Sequence, residues 1–305
     1  TRANHLAIDA GAFDKEEFNF HRFRGEKPFE LNRDALFESY WNSGAKFREA
    51  ITDIRELVLT TIQRGRTVIG EFGQAYWLDK RHGFPPNVTA SHSFTPEFFQ
   101  SAGIPVQPLH TFGVCKAYDT KVGTHEFLTE MPLEHSLAKK LRKLEFGTST
   151  GRQRMVGWYD SVEKGTALRY GGFDDLVINK LDALTQDGTW EGNLLLCTGY
   201  RASDGKVYDK VPRNEVIRKD CEPIFEEFES WDEDISSVRS FDELPEAAKR
   251  YVAGMTYYTL LCAYGEEENW PDTIPNLRYI GVGPDPDEII KEIPSTRCVL
   301  QLLDR

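Results

Sequence analysis

The apolar run Leu176-Val177-Ile178 leads directly into Asn179-Lys180-Leu181-Asp182, and those four residues carry the most specific chemistry in the chain. A carboxylate at Asp182 can accept hydrogen bonds from both the N1–H and the 2-amino group of guanine, whereas adenine offers an acceptor at N1 and no donor at C2. Lys180 can lay its methylene stem along a purine face, and the end of an apolar strand is where open α/β sheets hold their ligands. The same four residues also suit a solvated turn, so the choice between the two rests on the other polar clusters.

Four such clusters stand out. In Gly147-Thr148-Ser149-Thr150-Gly151-Arg152-Gln153-Arg154, consecutive hydroxyls lie between two glycines, and two arginines are placed to clamp a carboxylate or phosphate bidentately. Composition alone equally suits a surface turn. The stretch His82 to Ser91 follows Gln74, whose amide supplies a donor and an acceptor for a purine edge, and it contains Thr89, a phosphate donor by type. By composition it is a Pro-rich loop, and His82 and His92 lack a third ligand at metal spacing. Gly113 to Gly123 reads as a strand leaving a core for a polar loop that includes Val122. Ile280-Gly281-Val282-Gly283-Pro284-Asp285 places glycines after a strand, where backbone can approach a base or ribose closely.

The elements that must position these groups alternate between helix and strand. Phe47, Ile51, Ile54 and Val58 are at helical spacing within 33–64; Gly65 then signals a stop, and Val68-Ile69 predicts a short strand. Thr95 reads as a helix cap before Pro96, with Gly103 ending that helix, and a strand follows over 112–118. Helices are expected over 135–144 and 160–170, the second closed by Gly171-Gly172, and a strand over 176–178. Asn193–Tyr200 and Lys206–Val211 flank Asp204-Gly205 as a hairpin, so about 190–235 reads as an antiparallel, acidic appendage. Pro245 opens a long helix to Cys262, and 277–282 is the last core strand. The alternation implies an α/β fold: a mixed, largely parallel central sheet flanked by helices, with a small antiparallel excursion.

With 305 residues, 40% hydrophobic and 28% charged, the chain has an ordinary globular composition. Its net charge of -12 argues against broad electrostatic binding to nucleic acid or an anionic membrane. Cys115, Cys197, Cys221, Cys262 and Cys298 show no pairing pattern or metal spacing, which fits a reducing compartment, and the expected location is cytoplasmic.

Taken in order, the clusters resemble the adenylosuccinate synthetase family, ligases that join aspartate to inosine monophosphate (IMP) using GTP. The family's His-Gly-x-x-Pro-x-Val-Thr-x-Ser loop is matched by His82 to Ser91, and its Gly-Val-x-Lys-Ala-Tyr segment by Gly113 to Tyr118. Its Thr-Thr-Gly-Arg-x-Arg loop is matched by Ser149 to Arg154, its Thr-Lys-Leu-Asp motif by Asn179 to Asp182, and its closing Gly-Pro-Asp by Gly283 to Asp285. The resemblance spans nearly the whole chain and implies the family's fold over 1–305. It implies that Gln74, Thr89, Val122 and Arg152 line the IMP site, with Gln74 in a supporting catalytic role. Ser149, Thr150, Arg152 and Arg154 would hold aspartate. Arg154, Lys180, Asp182, Gly281, Gly283 and Pro284 would hold GTP. It also implies a homodimer and a Mg2+ requirement. The family's glycine-rich phosphate loop, catalytic Asp and His and metal site have no match in 1–305. The expectation is therefore a chain truncated at its N-terminus, with no metal ligand of its own and inactive alone.

Some residues depart from the family pattern. Lys121 replaces an arginine, Asp119 a hydroxyl residue, and Thr124-His125-Glu126 a Gly/Pro-rich stretch. Two other readings follow: aspartate ligation to GMP or dGMP, giving a 2-aminoadenine precursor, and a non-catalytic nucleotide-binding module.

Overall fold

The computed structural model describes residues 32–122, 126–147 and 151–303. Ser149 and Thr150, both expected at the aspartate site, lie outside the described residues. The chain divides into two compact units, one of Thr1–Ile69 with Ala102–Ile104 and one of Gly70–Ser101 with Pro105–Arg305.

In the first unit, α1 (Arg33–Ala45) starts at Asn32, whose side chain accepts from Ala35 N at 3.0 Å. α2 (Ile54–Gln63) starts at Asp53, which accepts from Arg55 N at 3.0 Å. The single helix expected over 33–64 is thus two helices joined by a 3-10 turn at Arg48–Ala50, because the Asp53 carboxylate caps a new start instead of continuing the old helix. Phe47, Ile51 and Ile54 are exposed. Val68-Ile69 forms no strand; a two-residue apolar run has no ladder unless a neighbour pairs with it.

α3 (Thr95–Ala102) begins at Thr95 itself, so the threonine is its first helical residue and not its cap. Gly103, at φ +66°, closes it as expected.

The second unit is built on mixed sheets flanked by helices. β1 (Phe112–Lys116), β5 (Asp175–Asn179) and β9 (Asn276–Gly281) run parallel in the order β1-β5-β9, and β10 (Ile289–Ile290) adds antiparallel at the β9 edge. β5 lies between two neighbours, so its Val177 and Ile178 are both buried, as a strand covered on both faces requires. A second sheet joins β4 (Tyr159–Asp160) parallel to β6 (Leu194–Ala202), which pairs antiparallel with β7 (Val207–Tyr208) and β8 (Cys221–Phe228). β2 (Asp119–Lys121) and β3 (Met155–Gly157) form a separate antiparallel pair.

The ribbon expected as an appendage at about 190–235 is instead part of the main core. Leu194, Leu196 and Trp231 belong to the same buried cluster as Ile178, Tyr251 and Ile280, while Glu222, Glu226 and Glu227 of β8 are exposed. The Asp204-Gly205 turn closes as expected, with Ala202 N donating to Lys206 O at 2.9 Å and Gly205 at φ +86°.

Four further helices complete the unit: α4 (Ser136–Leu144), α5 (Ser161–Gly171), α6 (Glu215–Lys219) and the long α7 (Glu246–Tyr264), with a short α8 (Thr296–Leu300) after them. Asp160 caps α5 by accepting from Val162 N and Glu163 N, each at 3.0 Å, and Gly172 closes it in the left-handed region. α5 packs on α7 at Gly165, where a Cβ would lie 2.5 Å from the Cys262 Cβ and 2.8 Å from the Thr259 carbonyl. Only glycine permits that approach. Among the described residues no helix is long and apolar enough to cross a membrane.

Candidate functional site

The parallel strands end side by side, and their carboxyl ends supply the site. Lys116 on β1 sits opposite Asn179 on β5, and Ile178 opposite Ile280 on β9. Beyond the ladder, Ala117 N donates to Asn179 O at 2.8 Å and Leu181 N to Gly281 O at 3.0 Å. These bonds tie the turn after β5 to both neighbouring strands. Gly281 is needed there, since a Cβ would lie 2.8 Å from Asn179 Oδ1 and 3.4 Å from its Cα. Gly281→Ala is expected to lower stability by about 1 kcal/mol, the low end for overpacking, because the nearest atom is a movable side-chain amide. Urea unfolding would measure it.

Lys180 has φ +62°, the one non-glycine residue in the left-handed region among the described residues. Such a backbone costs roughly 1–2 kcal/mol and marks functional sites when surrounding contacts enforce it. Here the backbone bonds of Asn179 and Leu181 on either side hold the turn, and Lys180 Nζ donates to Glu145 Oε1 at 2.9 Å.

Glu145 is the hub of the site, with a side chain only 1% exposed. Its Oε1 also accepts from Lys116 Nζ at 2.8 Å and from the Tyr118 hydroxyl at 2.7 Å, and its Oε2 accepts from Arg154 NH1 at 2.9 Å. Burial alone would raise its pKa, but the hydrogen bonds from Lys116, Tyr118 and Lys180 outweigh burial and hold it at about 2. The stability this carboxylate contributes is therefore complete above its ordinary value near 4.5 and is lost as pH falls towards about 2. Denaturant melts of the protein at pH 5 and pH 3 should differ, and that difference should shrink in Glu145→Gln.

Glu145 also anchors the polar loop that follows. Arg154 N donates to Glu145 O at 3.1 Å, Gln153 Nε2 to the same carbonyl at 2.6 Å, and Gly147 N to Arg152 O at 2.8 Å. One residue thus holds the base of the loop carrying Arg152 and Arg154 through its backbone carbonyl while its carboxylate grips Lys180 and Arg154. Sequence reasoning missed Glu145, because a glutamate between Leu144 and Phe146 looks like any surface residue until its distant partners converge.

Asp182 completes the turn. Its Oδ1 is shielded from solvent and has no hydrogen-bond partner among the described residues. Burial raises its pKa, with Glu288 adding to the shift and Lys180 opposing it. An orphaned buried acceptor is costly unless a donor fills it. Glu288 shapes the far wall through its carbonyl, which accepts from Val282 N at 2.9 Å, and its Oε2, which accepts from Asp285 N at 2.8 Å. Gly283 lies against that carboxylate, and Pro284 is exposed beside it. Arg154 and Lys180 thus share Glu145, Gly281 packs on the turn that carries Lys180 and Asp182, and Gly283 packs on Glu288.

The other expected residues lie on separate segments. Gln74 is exposed. Thr89 is held by Leu78, with its N–H at 2.8 Å and its hydroxyl at 3.1 Å from the Leu78 carbonyl. The loop is folded around the buried Asp79, which accepts from Arg81 N, His82 N and Ser93 N. It meets the Val122 segment at α5, where Trp77 Nε1 donates to Glu163 O at 3.3 Å and Lys121 Nζ to Glu163 Oε1 at 2.5 Å. Two of the departures from the family pattern are paired locally: Asp119 with Lys164, and Lys121 with Glu163. Among the described residues no group of three His, Cys, Asp or Glu side chains is placed to hold a metal ion.

The lysine with a left-handed backbone and the carboxylate with one shielded oxygen both lie at the carboxyl ends of a parallel sheet, which defines an α/β protein with its candidate site where open sheets hold their ligands. A sequence model of adenylosuccinate synthetase matches residues 10–261. The adenylosuccinate synthetase of Bacillus thuringiensis (strain Al Hakam) is 36% identical over 251 residues, covering 80% of this chain and 57% of that protein. That of an Exiguobacterium species is 38% identical over 222 residues, covering 72% and 50%. The structure of fully ligated adenylosuccinate synthetase from Plasmodium falciparum superposes with a TM-score of 0.76 at 28% identity, covering 95% of this chain and 61% of that one. The chain belongs to the adenylosuccinate synthetase family. It spans about half the length of these curated relatives.

Proposed function

We propose that this chain reads the guanine of GTP and holds the acceptor nucleotide and aspartate in a purine-biosynthetic ligase. The observation that carries the reading is the orphaned Oδ1 of Asp182 beside Lys180. Guanine brings N1–H and 2-amino donors to that carboxylate, the lysine stem covers the ring, and Gly281, Gly283 and Pro284 let the backbone close on the base. Arg154, Arg152, Ser149 and Thr150 hold aspartate, and Arg154 also reaches towards the GTP phosphates. Gln74, Thr89, Val122 and Arg152 hold IMP. In the reaction the IMP 6-oxygen takes the γ-phosphoryl group of GTP. The aspartate amine then attacks C6, the C6–O bond breaks, phosphate leaves, and adenylosuccinate forms. Glu145 is a positioning residue in this scheme, fixing Lys180 and Arg154 at once. A cytoplasmic homodimer is the assembly that accompanies the reading.

A second acceptor is favoured by one specific observation. The pairs Asp119–Lys164 and Lys121–Glu163 rebuild the strand that leads into Val122, and a changed wall suits a changed purine such as GMP or dGMP. The test is an assay of the full-length gene product with aspartate, GTP and each of IMP, GMP and dGMP. Turnover of IMP supports the first reading, turnover of GMP or dGMP alone moves the assignment to the second, and no turnover of any defeats the ligase reading.

A further inference from the structure

Behind the loop that carries Thr89 lies a cavity of about 150 Å³. One wall is Phe84, Pro86 and Asn87, and the other is Arg213, Glu215 and Arg218 around α6. The volume is below the roughly 300 Å³ at which pockets for drug-sized ligands begin, yet several times the roughly 30 Å³ share of one water. It has room for a small ion and not for a nucleotide.

The charge in its wall is unbalanced. Arg218 is only 5% exposed, its guanidinium lies 3.6 Å from the centre of the Phe84 ring, and its shielded Nε has no hydrogen-bond partner among the described residues. Trp77 stacks on the same Phe84 at 5.4 Å and 6° between planes. Arg213 is fixed as well: it donates to the carbonyls of His82 and Gly83 and lies 5.0 Å from that ring. Glu215, the acidic residue in the wall, pairs with Lys219 at 2.7 Å. Two rigid guanidinium groups thus face a space whose carboxylate is shared with a third cation. A buried guanidinium whose counter-charge is shared with other cations is under-compensated, and its planar fork matches an oxyanion.

We propose that this cavity is a binding site for a small inorganic oxyanion of the phosphate type, held by Arg218 with Arg213 beside it. The site is separate from the nucleotide and aspartate contacts above and stands whether or not the ligase reading does. The probe is inorganic phosphate, titrated into the 305-residue protein at constant ionic strength against sodium chloride and followed by thermal unfolding. Wild type should show a saturable rise in melting temperature. Arg218→Met, which keeps the apolar stem against Phe84, should unfold cooperatively and bind phosphate at least tenfold more weakly. Glu215→Gln, a change at an exposed side chain, should bind phosphate severalfold more tightly, and it decides the matter should the methionine variant not fold. A wild-type protein with no saturable response, an Arg218→Met protein that responds like wild type, or unchanged affinity in Glu215→Gln would each overturn the proposal.

Discussion

Asp182→Asn should lose most of the discrimination between guanosine and adenosine triphosphates, with GTP affinity falling about 10–100-fold and ATP affinity changing little. The carboxylate is an acceptor at both oxygens, and guanine presents two donors in the matching geometry. The amide replaces one acceptor with a donor and removes the charge, so one contact becomes repulsive and the other weakens. Hydrogen bonds to a charged group contribute about 1.5–3 kcal/mol, which is the stated range of affinity. Because Oδ1 has no hydrogen-bond partner among the described residues, the substitution breaks no hydrogen bond to them at that atom, and the variant should melt close to wild type. Titration with both nucleotides measures the effect. Equal losses for GTP and ATP would mean that Asp182 contributes to folding of the cleft and not to reading of the base.

Glu145→Ala should be the most destabilising single change at the site, by about 3 kcal/mol, lowering the melting temperature by roughly 6–12 °C. Removing the carboxylate leaves Lys116, Lys180 and Arg154 facing one another with no counter-charge, and strands the Tyr118 hydroxyl in the core. The three cations are partly exposed, at 25%, 41% and 34% of their side chains, so solvent recovers part of the loss and the figure stays at the low end for a broken buried pair. Added salt should narrow the gap from wild type by screening the repulsion. A deficit that does not change between low and high salt would show that lost packing, and not charge, sets it.

How much of this was legible beforehand depended on the range of the interactions. β5 announced itself through Leu176-Val177-Ile178, α5 through Asp160 and the glycine after it, and the 204–205 turn through its Asp-Gly pair; each is a signal within a few residues. The division of 33–64 into two helices came from a cap at Asp53 competing with a continuous apolar period, and pattern alone does not weigh one against the other. β8 looked like an acidic surface face because its glutamates dominate its composition. Its membership of the core depends on β6, more than twenty residues earlier, being buried on both sides. At the site, Lys180 and Asp182 were readable from their place after a strand, whereas Glu145 was not, since its role exists only once β1, β5 and the 147–154 loop meet.

The central claim is that the turn after β5 reads guanine, and calorimetric titration of the 305-residue protein with GTP and ATP under identical conditions tests it most directly. The account predicts that GTP binds at least about tenfold more tightly than ATP, in line with one charge-assisted pair of hydrogen bonds. ATP bound as tightly as GTP would contradict it.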